Sequence, residues 1–163
     1  MEIPTWSDLT AQVLNLVESR LLDPLEIILE SELESFRSRV AERVGAWSSH
    51  MLGEDDRLAT HTAIRLVSML YPGDGPFDPP AGWWQTPLGI VVAFRAGYPG
   101  VEAVSYAVAG EMLGISRQGV HDLVNRGKLE RHADGGVTTA SVHVRINLRA
   151  AGNSARTTER GRD

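Results

Sequence analysis

Residues 116–126 read "SRQGVHDLVNR", and helical spacing would gather their hydrogen-bonding side chains on one side. Arg117 offers a planar fork of donors; Gln118 and Asn125 each set a donor beside an acceptor, and His121 can do either. On a helical wheel with Val120, Leu123 and Val124 turned inward, Gln118, His121, Asp122 and Asn125 face outward. Arg117 flanks them near the amino end, the end of a recognition helix that enters a major groove. Arginine can grip guanine through two hydrogen bonds, and Gln or Asn can grip adenine in the same way. Arg117, Gln118, His121 and Asn125 are therefore candidate base readers. Asp122 argues the other way, because a carboxylate repels phosphates unless it accepts from cytosine or braces Arg117 or Arg126.

A second set of residues could hold a phosphate backbone. Ser116 and Arg126 mark the two ends of the segment, Lys128, Arg131 and His132 follow it, and Arg145 and Arg149 come later. Such contacts supply affinity and orientation without reading sequence. Other chemistry finds little support. The chain has no cysteine, which excludes disulfides and thiolate-held metals. His50, His61, His121, His132 and His143 show no metal-ligand spacing, and no nucleophile–base set, phosphate-cradling glycine loop or carboxylate pair stands out. The expectation is no enzyme, no cofactor and no metal.

These side chains need two helices and a tight turn to present them. Gly114 can supply the left-handed backbone of the turn. Ala109 and Gly110 are small where the helices must touch, and Leu113, Ile115, Val120 and Leu123 are apolar at core-facing positions. The first helix spans about Ser105 to Leu113 and the second about Ser116 to Arg126, with Ser116 as cap. Gly127 can end the second helix. "KLERHADGGVTT" then reads as a β-hairpin: Lys128 to His132 as one strand, Asp134-Gly135 as the turn, Val137-Thr138 as the other. A closing helix follows, with Val142, Ile146 and Leu148 inward and Arg145 and Arg149 exposed.

The stretch "VSYAVAGEMLGISRQGVHDLVNRGKLERHADGGVTTASV" resembles the winged helix-turn-helix of excisionase-like and MerR-like DNA-binding domains, over roughly residues 104–148. The resemblance implies a cofactor-free, cytoplasmic binder of double-stranded DNA. It suggests Arg117, Gln118 and His121 as groove-facing residues. A transcriptional regulator is the leading expectation. A protein-interaction module on the same scaffold and a recombination-directionality factor that bends its site are the alternatives.

Ahead of that segment the sequence predicts a three-helix unit over 1–71. One helix should run from Thr5 to about Leu22. A second should restart at Asp23-Pro24, capped by Asp23 with Glu26 reaching back, and run to about His50. Its stripe, Leu25, Leu29, Leu33, Phe36, Val40, Val44, Trp47 and Met51, makes it the natural element for a homodimer. A third helix should span about Glu54 to Tyr71. The Pro- and Gly-rich residues 72–85 read as a connector, with Trp83-Trp84 packed in a core beneath it, and a buried helix opens at Thr86-Pro87. The DNA-binding domain is placed at 86–150 and a disordered polar tail at 151–163, where Arg156, Arg160 and Arg162 could form a basic arm. The whole is a mainly α protein: an N-terminal helical unit plus a C-terminal winged helix-turn-helix with a short β-hairpin.

The charge divides the same way. Of the formal −5, residues 1–100 carry seven Arg against fourteen Asp or Glu, and residues 101–163 nine Lys or Arg against seven. No apolar run reaches membrane-spanning length, and the acidic start "MEIPTWSDL" lacks a secretion-signal pattern. The expected setting is the cytoplasm, on the nucleoid.

Overall fold

A computed structural model describes residues 2–80 and 82–160, with side chains as far as Gly152. The chain is mainly helical with a small antiparallel sheet, and it divides into two compact units, Pro4–Gly75 and the remainder. Among the described residues no helix is long and apolar enough to cross a membrane.

In Pro4–Gly75 the first helix, α1 (Trp6–Val17), starts where Thr5 accepts a hydrogen bond from the Asp8 amide at 3.2 Å. It does not stop at Leu22. A π-helical turn, Glu18–Leu22, carries it straight into α2 (Asp23–Leu29), so the expected restart at Asp23 is replaced by a continuous rod. Proline has no N–H, and its ring crowds the carbonyl four residues before it. The wider turn ahead of Pro24, where the Asp23 amide reaches back to Glu18, makes room. Asp23 is thus no cap, and Glu26 reaches forward instead.

The long second helix is also interrupted. Glu30 is left-handed (φ 47°) and ends α2, and α3 (Glu34–Leu52) begins four residues later. A left-handed backbone under a side chain costs roughly 1–2 kcal/mol. The Glu26 carboxylate offsets it by accepting from the Leu33 amide at 3.0 Å and from Arg37, which also reaches Asp23 at 2.9 Å. The stripe hid this corner because Leu33, buried beyond it, stands where an unbroken helix would also have placed a leucine. Leu9, Val13, Val44 and Met51 fill the core with Ala59, Ala63, Leu66 and Leu70 of α4 (Asp56–Leu70), which packs against α3.

Arg37 and the Leu33 amide hold the Glu26 carboxyl below its ordinary value, in that order of strength. A lowered folded pKa means the corner keeps its full support above the ordinary carboxylate range and loses it as pH falls through the lower value. Protection of the Leu33 amide, its exchange slowed relative to an unstructured chain at the same pH, should therefore fall on acidification, and Glu26→Gln should lower it already at neutral pH. Protection insensitive to both changes would remove this clasp.

In the second unit a short 3-10 turn (Trp83–Gln85) precedes α5 (Pro87–Ala96), which Thr86 caps through the Gly89 amide. Trp83 and Trp84 are buried, in edge-to-face contact with each other and with Phe77. Phe77, Trp83 and Trp84 thus pack together within this unit. Ala103–Val104, not expected as a strand, form β1. They pair antiparallel with β2 (Val137–Thr138), Ala103 opposite Thr138 and Val104 opposite Val137. Two helices between them, α6 (Tyr106–Leu113) and α7 (Arg117–Asn125), pack on one another, and α8 (Thr139–Arg160) packs against α5 and α6. Helical backbone thus continues past Ala150, through most of the segment expected as a disordered tail. "RAAGNSAR" has three alanines against one glycine, and helix propensity tolerates that ratio. The side chains of Arg156 and Arg160, and residue 162 entirely, lie outside the described residues.

Candidate nucleic-acid interface

The helix pair α6–α7 is fixed at four points, three of them at the turn between the helices. Ser105 caps α6 by accepting from the Val108 amide, and Ser116 caps α7 by accepting from the Gly119 amide, at 3.2 and 3.1 Å. Between them Gly114 is left-handed (φ 63°), and the Ile115 amide closes back on the Gly110 carbonyl at 2.9 Å. A Cβ on Gly110 would stand 2.8 Å from the Ile115 carbonyl oxygen, so only glycine lets the turn close. Ala109, Met112, Leu113 and Val120 are fully or almost fully buried behind it.

Two side chains from other elements secure the end of α6. Gln85 donates to the Glu111 carbonyl and Arg149 to the Leu113 carbonyl. Arg149, expected as a free phosphate contact, instead satisfies an orphan carbonyl of a helix end. Arg145 differs too: it is half-buried, and its Nε is enclosed without a partner. The outermost face of α8 carries Val144 and Leu148, each 60 % exposed. The inward facing of Leu148 is thus corrected, since Val142, Ile146 and Ala150 set the buried face.

Gly119 lies within α7, yet a Cβ there would meet only the Ile115 side chain, at 3.4 Å and beyond. That is ordinary contact, so the glycine answers no steric need inside the unit. Gly119→Ala should raise stability by about 0.5–1 kcal/mol in urea unfolding. A loss instead would reveal a backbone approach hidden by this geometry.

The outward face of α7 holds Arg117, Gln118, His121, Asp122 and Asn125, all exposed. Four of them are paired along the helix. Gln118 Nε2 donates to Asp122 Oδ1 at 3.2 Å, and Asn125 Nδ2 lies 3.1 Å from His121 Nδ1. The Asn125 amide can only donate there, which leaves His121 Nδ1 as acceptor and Nε2–H as an outward donor. Asp122, for which bracing Arg117 or Arg126 was one of the alternatives, braces Gln118. One Gln118 N–H is taken and its second N–H and Oε1 remain, the pair an adenine edge requires. Tyr106 stands beside His121 with ring centroids 6.3 Å apart. The sequence reading missed Tyr106, although its place just after the Ser105 cap puts it at the start of α6.

Around this face the other candidates separate. Ser116 spends its acceptor on the α7 cap. The Lys128 amide reaches the Leu123 carbonyl at 2.8 Å and the Gly127 amide the Val124 carbonyl at 3.0 Å, so α7 ends in a left-handed glycine (φ 64°). Arg126 and Lys128 are exposed at that end, where cations also complement the helix dipole. Arg131 is exposed on the hairpin and makes an isolated bridge to Val137, so the arm expected as a strand over Lys128–His132 holds a single bridge. The turn spans three residues, Ala133 to Gly135, with the Gly135 amide on the His132 carbonyl at 3.1 Å. His132 is folded into that turn, where its Nδ1 accepts from the Asp134 amide at 3.2 Å. It is therefore less available to a phosphate than Arg131. On the far side of β2, Thr139 donates to the Val101 carbonyl, extending the pairing with β1.

Among the described residues no group of three or more His, Asp or Glu is placed to hold a metal ion. Comparison with protein-family models, with curated proteins and with solved structures finds no match.

Proposed function

We propose that the second unit is a sequence-specific double-stranded DNA-binding module of the winged helix-turn-helix kind, acting as a transcriptional regulator on the nucleoid. One observation carries the reading: α7 presents a continuous exposed face of Arg117, Gln118, His121, Asp122 and Asn125 on a helix joined to α6 by a turn that the Ser116 cap, left-handed Gly114 and the Ile115–Gly110 hydrogen bond fix. In this reading α7 enters the major groove amino end first, Arg117 and Gln118 read bases, and His121 and Asn125 reach the neighbouring pair. Arg126, Lys128 and Arg131 hold phosphates and Ser116 adds a hydroxyl. Arg149 secures the end of α6 and His132 the hairpin turn. A face of this size covers one half-site, and half-sites are read in pairs by symmetric dimers. The N-terminal helices are the proposed dimer element.

Binding of the full chain to genomic DNA fragments at two salt concentrations tests the reading. Neutralising phosphates releases counterions, so affinity should fall steeply with salt. A folded chain that binds no fragment at low salt would refute it.

A further inference from the structure

Among the helices of Pro4–Gly75, α2 buries no residue at all. Ile27 and Ile28 are 78 % and 76 % exposed, and Leu29 and Phe36 more than half. Contiguous apolar surface on the scale of several hundred Å² marks an interaction site in a folded protein. The carboxylates that would spoil such a surface are drawn aside: Asp23 and Glu26 both bind Arg37. That clasp also fixes the angle between α2 and α3, so the surface is preorganised.

The charges around it identify the occupant. Glu30 and Glu32 at the corner are exposed and make no ion pair among the described residues, and neither do exposed Arg39 and Arg43. Phe36, Arg39 and Arg43 recur at helical spacing, so they share one face of α3. The arginines lie three and seven residues after Phe36, and the corner glutamates four to six before it. We propose that this surface seats a second copy of the chain, with α2 and the first half of α3 crossing their counterparts antiparallel about a two-fold axis at Phe36. Each copy's Arg39 and Arg43 then fall beside the other's Glu30 and Glu32, and the exposed isoleucines and Leu29 are covered between them. A two-fold interface must be complementary to itself, and exposed charges of both signs flanking the apolar residues meet that demand. A basic partner would answer the glutamates and leave the arginines opposed. The inference extends the paired half-site reading, and it rests on that reading only for the dimer's purpose.

Sedimentation equilibrium of the full chain without DNA tests it. The chain should dimerise at micromolar concentration. Ile28→Asp should raise the dissociation constant about 10- to 100-fold with an unchanged circular dichroism spectrum. Glu30→Arg/Glu32→Arg should weaken self-association, as should Arg39→Glu/Arg43→Glu, and mixing these two chains should restore a heterodimer. A wild-type chain still monomeric at about 100 μM overturns the proposal, whether or not a Lys/Arg-rich peptide binds it. A dimer indifferent to all three variants, or a mixture that does not associate, overturns it too. A dimer that ignores DNA would remove the DNA reading and leave this one standing; a monomer that binds DNA would do the reverse.

Discussion

Gly136→Ala is expected to destabilise the C-terminal unit by about 3 kcal/mol, a large fraction of the roughly 5–15 kcal/mol margin of an ordinary domain. Two effects add. Gly136 sits at φ +74°, where a side chain costs roughly 1–2 kcal/mol. A Cβ there would also stand 2.2 Å from the Val104 carbonyl oxygen, and that atom is backbone, so β1 itself must move. Forcing a packed backbone apart costs about 1–3 kcal/mol. The consequence reaches the interface, because β1 runs directly into Ser105, the cap of α6. Gly135→Ala is the matched control. Its φ is +103° but its Cβ would meet nothing within 4 Å, so it should show the backbone penalty alone. Equal losses from the two variants in urea unfolding would mean that β1 yields freely and does not hold the hairpin.

The same pair of glycines shows what a sequence can and cannot disclose. That Asp134-Gly135 makes a turn is local information, and the turn is there, one residue longer than two-residue hairpin chemistry suggests. That Gly136 must be glycine depends on Val104, thirty-two residues earlier, and no neighbour in sequence announces it. The α6–α7 turn was legible because every device in it is local: a serine cap, a left-handed glycine, and a small residue against the next carbonyl. Pro24 misled for the opposite reason. A proline after an aspartate is a sound signal for a helix start, and only the π-helical turn before it lets the rod continue. The corner at Glu30 was hidden because apolar spacing carried across it, whereas the stabilising partner, Arg37, lies seven residues beyond.

For the candidate site, the wheel over 116–126 placed the outward residues of α7 correctly, since an amphipathic helix shows its faces in its own spacing. It could not tell which partner Asp122 would choose, because Gln118 four residues before and Arg126 four after are equally close on a helix. Arg145 and Arg149 were beyond its reach. A long side chain on a half-buried helix can turn to solvent or to a neighbour's carbonyl, and only the position of the α6 end decides.

On DNA, the two ends of α7 should behave differently. Arg117→Ala should cost about 1–3 kcal/mol on a selected site and much less on random DNA, narrowing the gap between them, because a base-edge contact discriminates. Gln118→Ala should do the same at the neighbouring base pair. Arg131→Ala should weaken both kinds of DNA alike and lower the salt slope by about one counterion, as a phosphate contact does. Asp122→Ala is the informative fourth variant. Removing a carboxylate from a DNA-facing surface should strengthen binding to any sequence, yet it also frees the Gln118 amide that it now orients. Specific affinity should therefore rise less than non-specific affinity, so the ratio of the two falls. Equal losses from Arg117→Ala on specific and random DNA would exclude base reading by α7. An unchanged ratio in Asp122→Ala would show that the carboxylate does not position Gln118 in the complex.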